Sequence, residues 1–500
     1  MVICAVNRSR VEPLSHFSRP ENDMSHPSHA KPTITSEGEI HAVRAPALER
    51  WSWALYDFAN TIFSMNIATL YFAVWLVSDL HASNTMVALG NGITSALIAI
   101  SIPVFGAISD ATQRRKPWVV WFTLLTCGAT ALLGIFGQTS LPLVGDSVLD
   151  PAMTTHYVLG GSSAVLILAL FVAANYSYQG ALPFYNAMMP ELVPANEQGN
   201  LSGIGTALGY FGAIIGVLLV TPFFSGSMPI LGNISPSVMS SLRSIFPFTS
   251  HGGRVSTFVP TGILFLLFSL PLFLFCKDHN VRVGAKAIPW RAAFVEVKHT
   301  VRDAKQYPGS LRFLIASFLY QDAIGTIIAN MALYAVMAMG FKQGLETTLF
   351  VVLTVPAVIG SYIIGRLVDR IGPKKSLVFT IISWVVLLVL MVMVPNRTGF
   401  WIVGGLIGLI FGGVATSERP LLLTLVPDVE AGRFFSLMVL SSRAAAIVGP
   451  FIWAFTVDGL LPSFGTGVAY RAGVVTVAIG MAAALVLLWG VPDNWKKKPL

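Results

Sequence analysis

Ionisable side chains stand inside long apolar runs of this 500-residue chain: Asp57, Asp322, Glu418 with its neighbour Arg419, and Arg443. A charge near the middle of a bilayer costs at least about 2.5–3.5 kcal/mol, so such groups face one another, a water-filled space or a ligand. Arg443 has the chemistry to hold an anionic group such as a carboxylate. Asp57, Asp322 or Glu418 has the chemistry to take up and release a proton during a working cycle. The competing reading is an internal ion pair, Asp322 with Arg443 for example, that only joins helices. Uncharged polar residues accompany them. Asn60 follows Asp57 by three positions, which puts both on one helix face. Asn175, Tyr178, Gln179 and Asn186 recur at helical spacing, and Asn330 lies two turns beyond Asp322. Such faces suit a cavity for a small polar solute, and equally suit interhelical hydrogen bonds worth about 0.6 kcal/mol each.

The composition says which elements must carry these residues. Hydrophobic residues make up 54% and charged residues only 11%, against about 25% charged in a soluble domain. Mean hydropathy is +0.70. Apolar runs lie near 52–77, 85–108, 117–137, 158–183, 200–224 and 257–276, then near 311–339, 346–368, 376–395, 399–423, 434–457 and 471–490. Each can cross a hydrocarbon core of about 30 Å. Only helices satisfy every backbone group within such continuous runs. The expectation is an all-α membrane protein with twelve transmembrane helices.

Residues 1–50 read as a disordered polar tail, with Met24 offering an alternative start. His16, His26, His29 and His41 fall there without compact ligand spacing. Cys4, Cys127 and Cys276 are too scattered for a disulfide framework or a metal site, and no metal, cofactor or catalytic residue is expected.

Charge placement orients the spans. The tail, 109–116, 277–310, 366–375 and Lys496-Lys497-Lys498 hold most of the Lys and Arg, which places both termini in the cytoplasm. The excess of +8 is then a topology signal beside anionic lipid, not a nucleic-acid footprint. The sequence also repeats. Gly106-Ala-Ile-Ser-Asp110, with Arg114-Arg115-Lys116 after it, returns as Gly365-Arg-Leu-Val-Asp369 with Lys374-Lys375. Leu192-Val-Pro194 returns as Leu425-Val-Pro427, and Leu55-Tyr56 with Asp57 returns as Leu319-Tyr320 with Asp322. Two pseudo-symmetric six-helix halves follow, 51–276 and 311–490, joined by a cytoplasmic linker at 277–310 (with a surface helix around Trp290–Lys305) and closed by a basic tail at 491–500.

The string GAISDATQRRK, with its copy GRLVDRIGPKK, resembles the A motif of the major facilitator superfamily. WALYDFANTIF at 53–63 and the stretch from Pro183 to Gly216 resemble a bacterial and fungal branch of it, which includes the autophagy-related vacuolar amino-acid effluxers. The resemblance implies the major facilitator fold and solute movement, with amino-acid export as the family's suggestion. The motif has a physical rationale. Asp110 ends the second span and would meet the positive start of the eleventh near Gly432, while Asp369 would meet the start of the fifth near Gly199. Gly106, Asp110, Arg114, Arg115, Lys116, Gly365, Asp369 and Lys374 then form a gate; the bases among them equally suit plain topology.

Gly203, Gly205 and Gly209 mimic a nucleotide loop, but an apolar helix makes them packing residues. No GxxxxGK[ST] string is present. The expected protein is not an enzyme but a secondary transporter, a monomer in bacterial cytoplasmic-membrane lipid. It would move a small polar solute by alternating access, coupled to protons, without nucleic acid. The alternatives are a sugar–cation symporter and, in other classes, a membrane enzyme or a non-transporting sensor.

Overall fold

The computed structural model describes residues 44–80, 82, 84–139, 161–228, 232–249, 253–279, 307–341 and 346–495. The expected tail up to residue 43, the linker helix around Trp290–Lys305 and the final lysines lie outside the described residues.

Twelve spans are present. Ten helices are long and apolar enough to cross a membrane among the described residues. Glu346–Ile371 adds the eighth span, and Ala431–Trp489 holds the last two. The apolar runs leave 458–470 between these two, and the helices part within that stretch at Gly465, whose φ of 75° and ψ of 170° suit a residue without Cβ.

The first helix departs from expectation. It begins at Ala47 rather than beyond residue 50, after Pro46, whose fixed φ suits a helix start. The Ala45 N–H donates to Leu192 O at 2.9 Å, and Glu49 is buried, so the end of the expected tail is folded. Beyond Phe63 this helix widens into π-helical turns at Ser64–Tyr71 and Trp75–Asp79. The second to fourth helices are Asn84–Thr112, Lys116–Thr139 and Gly161–Ala187. The fifth and sixth are Gln198–Ser225 and Phe258–Phe275. Between them lie a two-residue hairpin, Ser227–Met228 against Gly232–Asn233, and a short helix, Pro236–Ile245. The seventh, Ser310–Met339, is followed by the eighth and by the ninth, Pro373–Met393. The tenth is made of Arg397–Phe411 and Gly413–Leu425.

The first helix packs on the fifth and the seventh on the eleventh, so each half repeats one arrangement. The eighth helix crosses to the fifth at Gly365. A Cβ there would lie 2.8 Å from Gly199 O and 2.9 Å from the Gly203 Cα. The glycine run of the fifth helix is therefore a packing surface.

Candidate functional site

At the centre, the first helix meets the tenth. Asp57 is buried and accepts from Arg419, with Nη1 to Oδ2 at 2.8 Å and Nη2 to Oδ1 at 3.5 Å. The two side chains are 7% and 12% exposed, so this ion pair between the halves has little water around it. The Arg419 guanidinium also lies 5.8 Å over the Tyr185 ring, and Tyr185 stacks on Trp53 at 4.5 Å. A Cβ at Gly205 would lie 2.9 Å from Asp57 Oδ2, so the fifth helix can close over the pair only through a glycine. The neighbouring Glu418 turns the other way. It accepts from Tyr320 Oη at 2.9 Å and from Gln321 Nε2 at 3.1 and 3.3 Å.

This arrangement corrects one sequence reading. Asp322 was paired with Asp57, but Tyr320 repeats Tyr56, so the register partner of Asp57 is Gln321. One residue further turns a helix by about 100°. Asp57 and Gln321 thus reach from opposite halves to the adjacent Arg419 and Glu418. Asp322 instead accepts from the Gly449 N–H at 2.6 Å, beside Pro450, which disturbs the eleventh helix. The Arg443 backbone is helical, but its side chain lies outside the described residues; the expected Asp322–Arg443 pair lies outside them too. Arg419 had been read only as the neighbour of Glu418. Its signal was an arginine within an otherwise apolar span, as distinctive as that of Arg443.

The uncharged candidates separate. Gln179 donates to Asn175 Oδ1 at 2.9 Å, and Asn175 to Asn91 Oδ1 at 3.3 Å, which ties the fourth helix to the second. Tyr178 packs its ring 5.0 Å from Phe63. Asn330 bonds back to Thr326 O within its own helix. Buried Asn60 Oδ1 has no protein partner, and neither amide atom of buried Asn66 has one. Asn66 lies in the first π-helical segment, and wide turns of this kind recur at functional sites. Neither its position nor its neighbours set Asn66 apart in the sequence.

The loop face carries two matched contacts. Asp110 accepts from the N–H of Gly432 at 3.0 Å and of Arg433 at 2.8 Å. Asp369 accepts from the N–H of Gly199 and Asn200, both at 2.8 Å. Each carboxylate meets the positive start of a helix from the opposite half. Gly106 allows the first contact, since a Cβ there would lie 3.0 Å from the Arg433 Cα and the Gly432 O. With both contacts made, this face is closed.

Among the described residues, only the first contact has a buried support. Arg115 is fully buried and pairs with Glu191 at 2.8 Å. It also donates to Ala187 O, Gln113 Oε1 and Asp428 O. Gln113 donates to Asp110 O and, across the halves, to Val429 O at 2.8 Å. Asp278 accepts from the N–H of Arg115 and Lys116. His279 gives its N–H to Glu191 Oε2 and sets Nε2 2.7 Å from Glu49 Oε2. Arg114, by contrast, is exposed. Lys116 Nζ caps Cys276 O at the end of the sixth helix, and Lys374 Nζ likewise holds Trp489 O at the end of the twelfth. Sequence reasoning missed Glu191, Asp278, His279 and Glu49.

Two six-helix halves, closed at one face by paired carboxylate contacts and joined at the centre by a buried ion pair, define a multi-pass membrane transporter of the major facilitator type, not an enzyme. The fold matches the fucose transporter FucP in its outward conformation, with TM-score 0.61 and 16% identity over 89% of this chain and 97% of that one. It also matches a bacterial homologue of the iron transporter ferroportin in an outward-facing state, with TM-score 0.58 and 15% identity over 91% and 100%. The chain belongs to the family described as vacuole effluxer Atg22 like, whose model matches residues 73–498. An uncharacterized MFS-type transporter, YxiO of Bacillus subtilis, is 25% identical over 81% of this chain and 87% of its own. Autophagy-related protein 22 of Eremothecium gossypii is 22% identical over 82% and 85%.

Proposed function

We propose that this transporter moves a small polar solute bearing a carboxylate, with amino acids first among candidates, and couples that movement to protons. The observation that carries the reading is the buried Asp57–Arg419 ion pair with Glu418 next to it in the chain, its carboxylate turned away to Tyr320 and Gln321. A solute carboxylate would compete with Asp57 for Arg419. Glu418 is held by the neutral donors Tyr320 and Gln321, so it can gain or lose a proton without breaking an ion pair. The family's description as effluxers favours export. The loop face is assigned to the cytoplasm by its Lys and Arg content, and the protein is assigned to a bacterial cytoplasmic membrane as a monomer.

The test is flux of an amino-acid panel in proteoliposomes under an imposed pH gradient. The parent protein is expected to accumulate at least one member. Glu418→Gln is expected to retain counterflow while losing its response to the gradient. Equal gradient-driven accumulation by Glu418→Gln and the parent would remove Glu418 from proton coupling. No flux of any member would overturn the substrate reading.

The paired contacts at Asp110 and Asp369 act as latches in this cycle. Hydrogen bonds to a charged group contribute about 1.5–3 kcal/mol each, and each Asn keeps only one of the two acceptor oxygens, so the Asp110→Asn/Asp369→Asn variant should shift the closed-to-open ratio of this face by roughly 100- to 10,000-fold. Electron-spin distances between labels at exposed Arg114 and Lys375 report the change as a longer separation. An unaltered distance distribution would rule the latches out.

A further inference from the structure

A cavity of about 250 Å³ opens where the first and fifth helices begin, away from the central cluster. Its polar wall is Arg44, Arg50, Glu197 and Asn200, and Trp51 and Ile204 form part of its apolar wall. Both arginines converge on a single carboxylate oxygen. Arg44 Nε lies 3.0 Å from Glu197 Oε2, and Arg50 Nη1 lies 3.8 Å from the same atom. One negative charge therefore faces two guanidiniums, and the buried Arg50 Nε has no hydrogen-bond partner. The surplus is positive, with donors unspent in planar forks suited to phosphate.

The apolar side points to what carries that phosphate. Trp51 is 58% exposed and Leu48 55% exposed at this end of the first helix. An exposed Trp one turn into a membrane helix sits at headgroup level, and basic pockets beside spans hold anionic headgroups.

We infer that this cavity binds the phosphate headgroup of an anionic phospholipid, with the lipid's glycerol and upper acyl chain lying along Trp51 and Ile204. The site also adjoins a latch. Asn200 lines the cavity, and its N–H is one of the two that hold Asp369. A bound headgroup immobilises the turn from Glu197 to Asn200 and so supports the latch donors.

Native mass spectrometry of the full chain, exchanged into equal amounts of phosphatidylglycerol and phosphatidylcholine, tests the inference. The parent should retain phosphatidylglycerol in preference, by up to roughly thirtyfold for two arginines at a membrane surface. Arg44→Gln/Arg50→Gln should lose that preference, while Glu197→Gln, which frees both arginines, should increase it. The opposite signs separate lost binding from lost folding. In nanodiscs, hydrogen exchange at Gly199 and Asn200 should slow with phosphatidylglycerol in the parent and not in the double variant. Equal preference in the parent and the double variant, a weaker preference in Glu197→Gln, or unchanged exchange would overturn the inference. Displacement of the lipid by millimolar inorganic phosphate would identify a soluble anion as the occupant and overturn it as well.

Discussion

Arg115→Leu should unfold at a much lower temperature than the parent, with a loss of about 3–5 kcal/mol, the usual cost of leaving one member of a buried ion pair alone. The reason lies in what the guanidinium leaves behind. Glu191 is 1% exposed on its side chain and would be left with the His279 N–H for its charge. Ala187 O and Asp428 O would lose their donor. The buried thiols supply the readout. Burial, with Glu49 beside it, pushes the Cys276 thiol up to about 12, so it reacts with a thiol-directed fluorophore only once the structure opens. A Cys4→Ser background removes the tail thiol. Glu191→Gln should cost less, because the buried Arg115 cation it leaves keeps its acceptors Ala187 O, Gln113 Oε1 and Asp428 O, and the double variant should cost less than the two single costs added together. A parent-like midpoint for Arg115→Leu would show that the network carries no net stability.

Arg419→Met should stop solute flux and weaken the joint between the halves. Asp57 would be left buried without its partner, again at a cost of about 3–5 kcal/mol, equivalent to more than a hundredfold in an equilibrium. The neutral pair Asp57→Asn/Arg419→Met separates two roles. Its thermal midpoint should recover toward the parent, since no lone charge remains, while counterflow of the solute found in the flux screen should stay below one hundredth of the parent's. Recovery of counterflow together with stability would make the pair a strut between helices and nothing more.

The parts of this molecule that were legible in the sequence are those set by local rules. Apolar runs had to be helices because lipid offers backbone groups no other partner. Asp110 and Asp369 were placed near helix starts because a repeated motif fixed both ends of each contact. The partner of Asp57 was not legible, because Arg419 is brought to it by the packing of one half on the other. Asp322 misled for a smaller reason: a shift of one residue changes which neighbour a helical side chain faces. Arg114 and Arg115 are the same residue type side by side, yet one is exposed and the other wholly enclosed. Glu191 had a faint signal in Pro190-Glu-Leu-Val-Pro194, since the second copy has Thr424 where the first has the acid.

That last difference sets an order of events. The Asp110 contact shares its loop with Arg115 and Gln113, both of which reach carbonyls of the opposite half. The Asp369 contact rests on two backbone donors. Equal motifs therefore make unequal fastenings. Under a force that separates the halves, the Asp369 seam should yield first and the Asp110 seam should serve as the axis, so that this face would swing open from one side instead of parting evenly.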